Sequence, residues 1–230
     1  MLSHIRRHWI RWSIGGVLLA VLAVTAVPYV YTTYVAEAAP AGLATERLQP
    51  ATDGPEAPLD GSWRAADGSE AEYRIDEILF GQEVTAVGRT GEVDGEIEIE
   101  GTAVRTGRVE VDMASVATDN PRRDRQFRDN LMDVTGNPTA TFALTGPVEL
   151  PGSPAVGSEF TVPARGELTL RGVTRPVTVD LTVGRGASEV TVSGEVPVAL
   201  ADHGIPRPSV GGISVADRAI VGFALRFEPA

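Results

Sequence analysis

The sequence predicts an all-β domain, either an antiparallel barrel or a sandwich, with one short helix and an apolar segment before it. Three observations predict this class. Apolar and polar residues alternate with a period of two through most of residues 61–230. Turn residues separate these runs at spacings that suit antiparallel strands. One charged stretch, TDNPRRDRQFRDNL (residues 118–131), interrupts the alternation.

Residues 12–36 contain no charged side chain and are predicted to be one transmembrane signal anchor, since about 20 apolar residues cross a hydrocarbon core. Three arginines precede the segment: Arg6, Arg7 and Arg11. The positive-inside rule therefore places residues 1–11 in the cytoplasm and the later residues outside it. The alternative is a cleaved signal peptide with its cleavage site at Ala36–Ala38, which would give a secreted protein. We favour the anchor because bulky tyrosines separate the apolar run from that site.

Residues 37–60 are predicted to be a disordered, proline-rich tether between the membrane and the domain. They contain four of the sixteen prolines and almost no aromatic or β-branched residues. Such a composition provides little apolar surface for a packed core. The folded domain is therefore predicted to occupy residues 61–230.

Nine runs of alternating residues in this domain predict eight or nine strands. In chain order the runs are 72–78, 83–90, 96–101, 108–113, 141–146, 166–170, 177–183, 189–198 and 220–227. Within the eighth run, Ser193-Gly194 suggests a β-bulge. No internal repeat is visible.

The charged stretch is predicted to form a short amphipathic helix across one end of the β-structure. Pro121 suits a first helical turn, and the N-cap is one of Thr118, Asp119 and Asn120. Phe127 and Leu131 are four residues apart and share one helical face, while the arginines and aspartates cover the others. The helix is expected to end at Gly136 and Pro138. Its charges are most simply a solvated face with local Arg–Asp pairs.

Composition excludes several functions. The formal net charge is −11, and the three N-terminal arginines leave −14 for the remainder, which repels nucleic acid. No cysteine is present, so disulfides and cysteine-ligated metals are excluded. A set of Asp202, His203 and Ser209 lacks the spacing of a nucleophile elbow. We therefore expect no enzyme, no metal site and no cofactor.

Two stretches of the domain are distinctive. The first is GELTLRGVTRPVTVDL (residues 166–181). The second is a set of positions in and after the charged stretch: Thr118, Asn120, Arg123, Asp124, Phe127, Asp133, Val134, Pro138 and Phe142. They resemble two signatures of the YceI-like family, a lipocalin-like group of exported lipid- and polyisoprenoid-binding proteins, and the first does so almost letter for letter. The resemblance covers residues 60–228.

The resemblance implies a lipocalin-like antiparallel barrel of about eight strands that carries an apolar ligand. An eight-stranded barrel either fills its interior with side chains or holds one slender ligand. The charged helix would then be a lid, with Phe127 and Leu131 towards the lumen and the arginines at the rim. The predicted ligand-binding residues are Met113, Phe127, Leu131, Met132, Phe142, Leu168, Leu170 and Phe223. The RGVTRP connection is more simply a hairpin needed for folding than a ligand contact.

The leading hypothesis is a membrane-tethered, extracytoplasmic protein that carries or sequesters a polyisoprenoid, an isoprenoid quinone or a fatty-acyl lipid. One alternative is a structural or interaction domain of the cell envelope whose barrel is packed solid. It is motivated by early strands that differ from the usual pattern of the family. In that case Met113, Phe142 and Phe223 would fill the lumen. A third and weaker alternative is an enzyme that acts through His203.

Overall fold

The computed structural model describes residues 39–45, 48–79, 81–207, 209–210 and 213–230. The predicted cytoplasmic N-terminus and transmembrane anchor, residues 1–36, lie outside these ranges. Among the helices of the described residues, none has the length and apolar character needed to cross a membrane.

Twelve antiparallel strands occur in the part of the chain that the structure describes. They are β1 (Gly61–Ala65), β2 (Glu70–Leu79), β3 (Gln82–Thr90), β4 (Val93–Glu100), β5 (Ala103–Asp112), β6 (Thr139–Leu144), β7 (Val148–Glu149), β8 (Glu159–Leu170), β9 (Val173–Arg185), β10 (Val190–Ala199), β11 (Ser209–Val210) and β12 (Ile213–Pro229).

Eight of these strands close into a barrel in the order β1-β4-β5-β6-β8-β9-β10-β12, and β12 pairs again with β1. The closing register runs from Trp63 opposite Pro229 to Ala65 opposite Phe227. The β2–β3 hairpin continues the wall, because β2 pairs with the N-terminal part of β12. Closure leaves few unpaired strand edges. The predicted all-β barrel of about eight strands is therefore confirmed.

The longest hairpin, β8–β9, contains the first family-like stretch. Its strands pair from Glu159 opposite Gly184 to Leu170 opposite Val173, so Arg171 and Gly172 form a two-residue turn. Both turn residues have positive φ angles, +49° and +72°. This is the requirement of a type I′ turn, which matches the twist of the flanking strands. Burial alternates along β8 and directs every second side chain into the barrel.

The predicted bulge at Ser193-Gly194 was wrong. Strand β10 pairs residue for residue with β12 across this point, with Gly194 opposite Phe223. A Cβ atom on Gly194 would lie 2.8 Å from Cζ of Phe223. The glycine therefore makes room for an aromatic ring on the inner wall.

The charged stretch forms a helix in two parts. The α-helix α1 (Pro121–Gln126) begins after the N-cap Asn120, whose side chain accepts the Arg122 N–H at 2.9 Å. A π-helical turn, Phe127–Leu131, follows directly. The helical region thus ends before Gly136, earlier than expected. Asp133, at φ +48°, accepts the N–H groups of Gly136 and Asn137 in the turn that leads to β6.

The described part of residues 37–60 differs from the disordered tether that was predicted. Leu43 is 1% exposed, and its N–H donates to the buried carboxylate of Glu72 at 2.9 Å. Ala187 accepts the N–H of Ala57 and donates its own to Ala51, both at 2.8 Å. These residues are held against the barrel by backbone hydrogen bonds and by the buried side chain of one leucine. Backbone hydrogen bonds need no particular side chains, so the composition of the segment did not indicate them.

Candidate functional site

The interior of the barrel contains two adjoining chambers. The larger has a volume of about 490 Å³ and lies beneath the helical region, and the smaller, of about 150 Å³, lies beyond it. They share a set of lining residues at their junction: Ala71, Val111, Ala140, Leu170 and Val221. The lumen is therefore hollow along much of its length, unlike the solid packing of the alternative interpretation.

The smaller chamber is almost entirely apolar. Inward residues of the strands line it with aliphatic and aromatic side chains, including those of Ile97, Val109, Phe160, Leu181 and Leu225. Three of its lining residues have polar side chains, Arg108, Thr141 and Arg185, but almost none of their polar surface faces the chamber. Arg108 is half-exposed and hydrogen-bonds to Glu110. A surface of this kind favours an apolar chain and offers water few partners.

Glycines in the barrel wall let aromatic rings lie flat against it. A Cβ on Gly166 would lie 2.4 Å from Cζ of Phe142, and one on Gly88 would lie 2.3 Å from Cε1 of Tyr73. A ring that occupies the place of a missing side chain projects less into the lumen. The glycines thus help to keep the chambers open.

The larger chamber combines an apolar wall with a polar outer end. Tyr73, Ile75, Val116 and Ile205 are among its apolar and aromatic lining residues. The polar side chains in its lining are Glu72, Glu77, Thr90, Asn120, Arg122, Arg123 and Gln126, four of which belong to α1 or its N-cap. The chamber therefore changes from apolar to polar towards the helical region.

Aromatic stacking attaches the helical region to the barrel. Phe127 is 5% exposed, and its ring lies parallel to that of Tyr73 on β2, with the ring centroids 5.0 Å apart. The two rings bury apolar area and gain the additional energy of an aromatic pair. Phe127 thus closes the larger chamber, and Leu131 lies in the same wall.

Ion pairs and hydrogen bonds support this attachment. Arg123 pairs with Asp119 and approaches Glu77 on β2, with Nη2 and Oε2 4.0 Å apart. Asp124 accepts the Thr118 N–H at 2.9 Å and the Thr118 hydroxyl at 2.7 Å. The arginine thus links the helix to the barrel, and the aspartate holds the chain that enters it.

Two titratable groups at the outer end have shifted pKa values. Burial raises the pKa of the Tyr73 hydroxyl, although the positive charge of Arg123 opposes the shift. Burial also raises the pKa of the Glu77 carboxyl, again against Arg123, while Asp119 adds to the rise. The environment under the helical region is therefore poorly solvated.

All eight residues predicted to bind the ligand line the chambers. Met113, Phe127, Leu131 and Met132 lie in the larger chamber, Phe142, Leu168 and Phe223 in the smaller, and Leu170 in both. Their contact with a ligand stays a prediction. Tyr73 and Arg185 were not predicted. The alternation of apolar and polar residues in β2 would have indicated that Tyr73 faces inward. The alternation in β9 would have indicated the same of Arg185, but a charged residue is not expected inside a barrel.

His203 has a structural contact. It is 3% exposed, and its Nδ1 lies 2.9 Å from the carbonyl oxygen of Val173, next to the β8–β9 turn. Arg171 in that turn donates to the carbonyl of Gly204 at 2.6 Å. The family-like hairpin is therefore joined to the loop around His203. Within the described residues, no group of three or more His, Asp or Glu is placed to hold a metal ion.

Comparison with known proteins identifies a domain over nearly the same residues as the predicted domain, 61–230. The family model described as "YceI-like domain" matches residues 65–227. A curated relative, a UPF0312 protein of Shewanella denitrificans, is 35% identical over 104 residues, which are 44% of this chain. The match spans about half of that relative, 51% of its length.

Two solved structures are similar in fold. A polyisoprenoid-binding domain from Saccharophagus degradans, described as implicated in plant cell wall breakdown, matches with a TM-score of 0.60 and 20% identity. The match covers 74% of this chain and 99% of that one. BcnA of Burkholderia cenocepacia matches with a TM-score of 0.50 and 20% identity, over 67% of this chain and 95% of its own.

Proposed function

The chain belongs to the YceI-like domain family, and we propose that its barrel binds one long apolar lipid in the two chambers. The observation that carries this proposal is the hollow apolar lumen. A volume of about 490 Å³ in the larger chamber lies within the usual range for small-molecule sites. Each buried CH₂ group contributes about 0.8 kcal/mol, so binding needs no special chemistry.

The proposed ligand is a polyisoprenoid, an isoprenoid quinone or a fatty-acyl lipid. The solved polyisoprenoid-binding domain with a similar fold supports this range of ligands. The two adjoining chambers also favour an extended chain over a compact molecule, because their shared lining forms one elongated space. The role is that of a carrier or sequestering protein and not of an enzyme.

We further propose that the domain acts outside the cytoplasm and is tethered to the membrane by residues 12–36. The uncharged segment and the arginines before it support this topology. A tethered barrel would remain close to the membrane, where apolar lipids are found.

Lipid extraction tests the proposed function. The full chain is purified from its native envelope, and the bound lipids are identified by mass spectrometry. We expect a long-chain lipid in near-equal amount to the protein. Repeated recovery of the folded protein without lipid, together with no binding of isoprenoid or acyl lipids in solution, would refute the proposal.

A matched pair of substitutions on β6 sharpens the test. Ala140→Phe adds a ring where the two chambers meet, whereas Ala143→Phe adds the same ring on the same strand at a position that lines neither chamber. We expect the first variant to lose most of the bound lipid and the second to retain it. Thermal melting shows whether each variant folds. Equal lipid content in two folded variants would contradict binding inside the lumen.

A further inference from the structure

Part of the chain that precedes β1 is bound to the outside of the barrel beside the larger chamber. Tyr73 and Ile75 of β2 line this chamber, and Arg74 between them is directed to the outer face of the wall. The Nη1 group of Arg74 donates to the carbonyl oxygen of Pro40 at 2.7 Å. Residues 40–43 lie on this outer face, and we call them the docked segment.

A buried ion pair holds the docked segment in place. The side chain of Glu72 has no exposed surface, and its carboxylate accepts the N–H of Leu43 and the Nε–H of Arg89, both at 2.9 Å. Arg89 also donates through Nη2 to the carbonyl oxygen of Ala41. Leu43 itself is 1% exposed. Removing the segment would take a hydrogen bond from a buried charge, so the attachment fixes one geometry.

The path of the chain places the end of the predicted anchor near the larger chamber. Leu59 lines the smaller chamber, and Ala57 bonds to the turn that follows β9. From there towards the N-terminus, the chain crosses to the larger chamber and reaches Arg74 at Pro40. Residue 36, where the predicted anchor ends, is four positions earlier. Four residues span at most about 14 Å, so the anchor must end close to the larger chamber.

The same face of the wall has exposed apolar side chains. Among the residues whose exposure the structure describes, Ile78 and Ile220 are the most exposed large apolar ones, at 46% and 38%. Ile220 pairs with Arg74 across β12 and β2, and Ile78 lies further along β2, next to the residue that approaches α1. Single exposed apolar residues are common, but these two share the face that carries the docked segment. Apolar residues grouped on one face favour contact with a membrane surface.

We propose that the docked segment holds the barrel on a lipid bilayer with the larger chamber towards the membrane and the smaller chamber away from it. The inference rests on the proposed tether and adds an orientation to it. Ile78 and Ile220 contact the bilayer surface, and lipid passes between the bilayer and the lumen at the end beneath the helical region. This position shortens the exposure of the apolar chain to water. A flexible tether of the same length would let the barrel turn, so the docked segment is the element that fixes the orientation.

Site-specific labelling tests the orientation, because the chain has no cysteine of its own. One variant carries Glu83→Cys, at an exposed position of β3 opposite Ile78, and another carries Thr102→Cys, at the exposed turn between β4 and β5. The ten residues of β5 lead from this turn to the larger chamber. At the usual strand tilt they span about 25 Å along the barrel axis, so the two labels report on opposite ends.

The full chain of each variant is labelled with a nitrobenzoxadiazole fluorophore and reconstituted into phosphatidylcholine vesicles. The vesicles are prepared with and without phosphatidylcholine that carries a nitroxide quencher on its head group. We expect the label at residue 83 to lose most of its fluorescence to the quencher and the label at residue 102 to lose little. Equal losses, or a larger loss at residue 102, would overturn the proposed orientation.

Variants of the tether show whether the docked segment causes the difference. Leu43→Asp places a second carboxylate beside that of Glu72 and should release the segment, whereas Thr45→Asp adds the same charge at an exposed position nearby. We expect the first variant to make the losses at the two labels equal and the second to keep them different. Thermal melting shows whether each variant folds.

A longer tether provides a second test that leaves the folded domain intact. A Gly/Ser insertion of about 20 residues after residue 38 has an end-to-end distance of about 25 Å, which frees the barrel from the bilayer. We expect the insertion to remove the difference between the labels without changing the melting temperature. A difference that persists in this variant would overturn the proposal, even if Leu43→Asp fails to fold.

The outcomes distinguish this inference from the proposals on which it rests. Equal quenching of the two labels in a chain that stays with the vesicles would refute the orientation alone. A chain that does not stay with the vesicles would refute the tether and the orientation together. Lipid extraction tests binding inside the lumen separately, so that function could stand in either case.

Discussion

At the scale of single residues, a comparison of Arg123 with Arg125 separates the effect of a contact between the helix and the barrel from the effect of surface charge. Arg123 is partly buried and contacts Asp119 and Glu77, whereas Arg125 is exposed. We expect Arg123→Ala to reduce the free energy of unfolding by about 1 kcal/mol, since its partners are partly exposed. Arg125→Ala should change it by less than about 0.5 kcal/mol. Thermal melting measures both, and equal shifts would show that Arg123 contributes only surface charge.

Glu77 should make stability depend on pH. Its folded pKa lies above the ordinary value of 4.5 because burial disfavours the carboxylate. The contribution of such a carboxyl group to the free energy of unfolding is complete at pH values below its pKa in the unfolded chain. It is lost as the pH rises through the pKa of the group in the folded chain. Glu77→Gln resembles the protonated form at every pH. We therefore expect the variant to gain stability relative to the parent chain as the pH increases.

Denaturant unfolding at about pH 4 and about pH 8 measures this difference. Arg123 and Asp119 are the charged groups that act on Glu77, so both are kept unchanged. Glu83→Gln, at an exposed position of β3, controls for the loss of one negative charge. A difference between Glu77→Gln and the parent chain that stays constant with pH would contradict the expectation.

At the scale of elements, the helical region closes the larger chamber mainly through Phe127. Phe127→Asp should lower both stability and lipid binding, because it removes the stack on Tyr73 and places a carboxylate in a buried site. Loss of a buried phenylalanine alone costs about 3–5 kcal/mol. Asn130→Asp adds the same charge at an exposed position of the same π-helical turn.

Melting temperature and the lipid content after extraction are measured for both variants. The control should match the parent chain in both quantities. Should Phe127→Asp melt and retain lipid like the control, the helical region would not be the lid of the chamber.

The strands were more predictable than the ends of the barrel. Period-two alternation in runs such as 166–170 and 177–183 follows directly from one apolar and one solvated face, so it indicated most of the barrel strands and the inward residues. It identified Leu168 and Leu170, which line the lumen. It could not indicate that the lumen is hollow, since that depends on how Phe142 lies over Gly166.

At the scale of the whole molecule, different segments of the chain close the two ends of the barrel. The helical region covers the larger chamber with a polar rim. At the other end, Leu59 lines the smaller chamber, and its carbonyl oxygen accepts the Trp63 indole N–H at 2.9 Å. The segment before β1 therefore forms part of the barrel's closure. Composition did not reveal this, because its contacts are mostly backbone hydrogen bonds and carry no periodic pattern.

These contacts predict where the folding unit begins. A chain that starts at residue 39 should fold as an acidic domain, whereas one that starts at residue 61 should be less stable. The longer chain keeps Leu43, which is 1% exposed, and the Ala51 and Ala57 hydrogen bonds to Ala187. Loss of a buried leucine alone costs about 2–5 kcal/mol. Leu43→Ala in the longer chain should therefore account for part of the difference. Denaturant unfolding of the three proteins measures it, and equal stability of all three would mean that the segment only rests on the barrel.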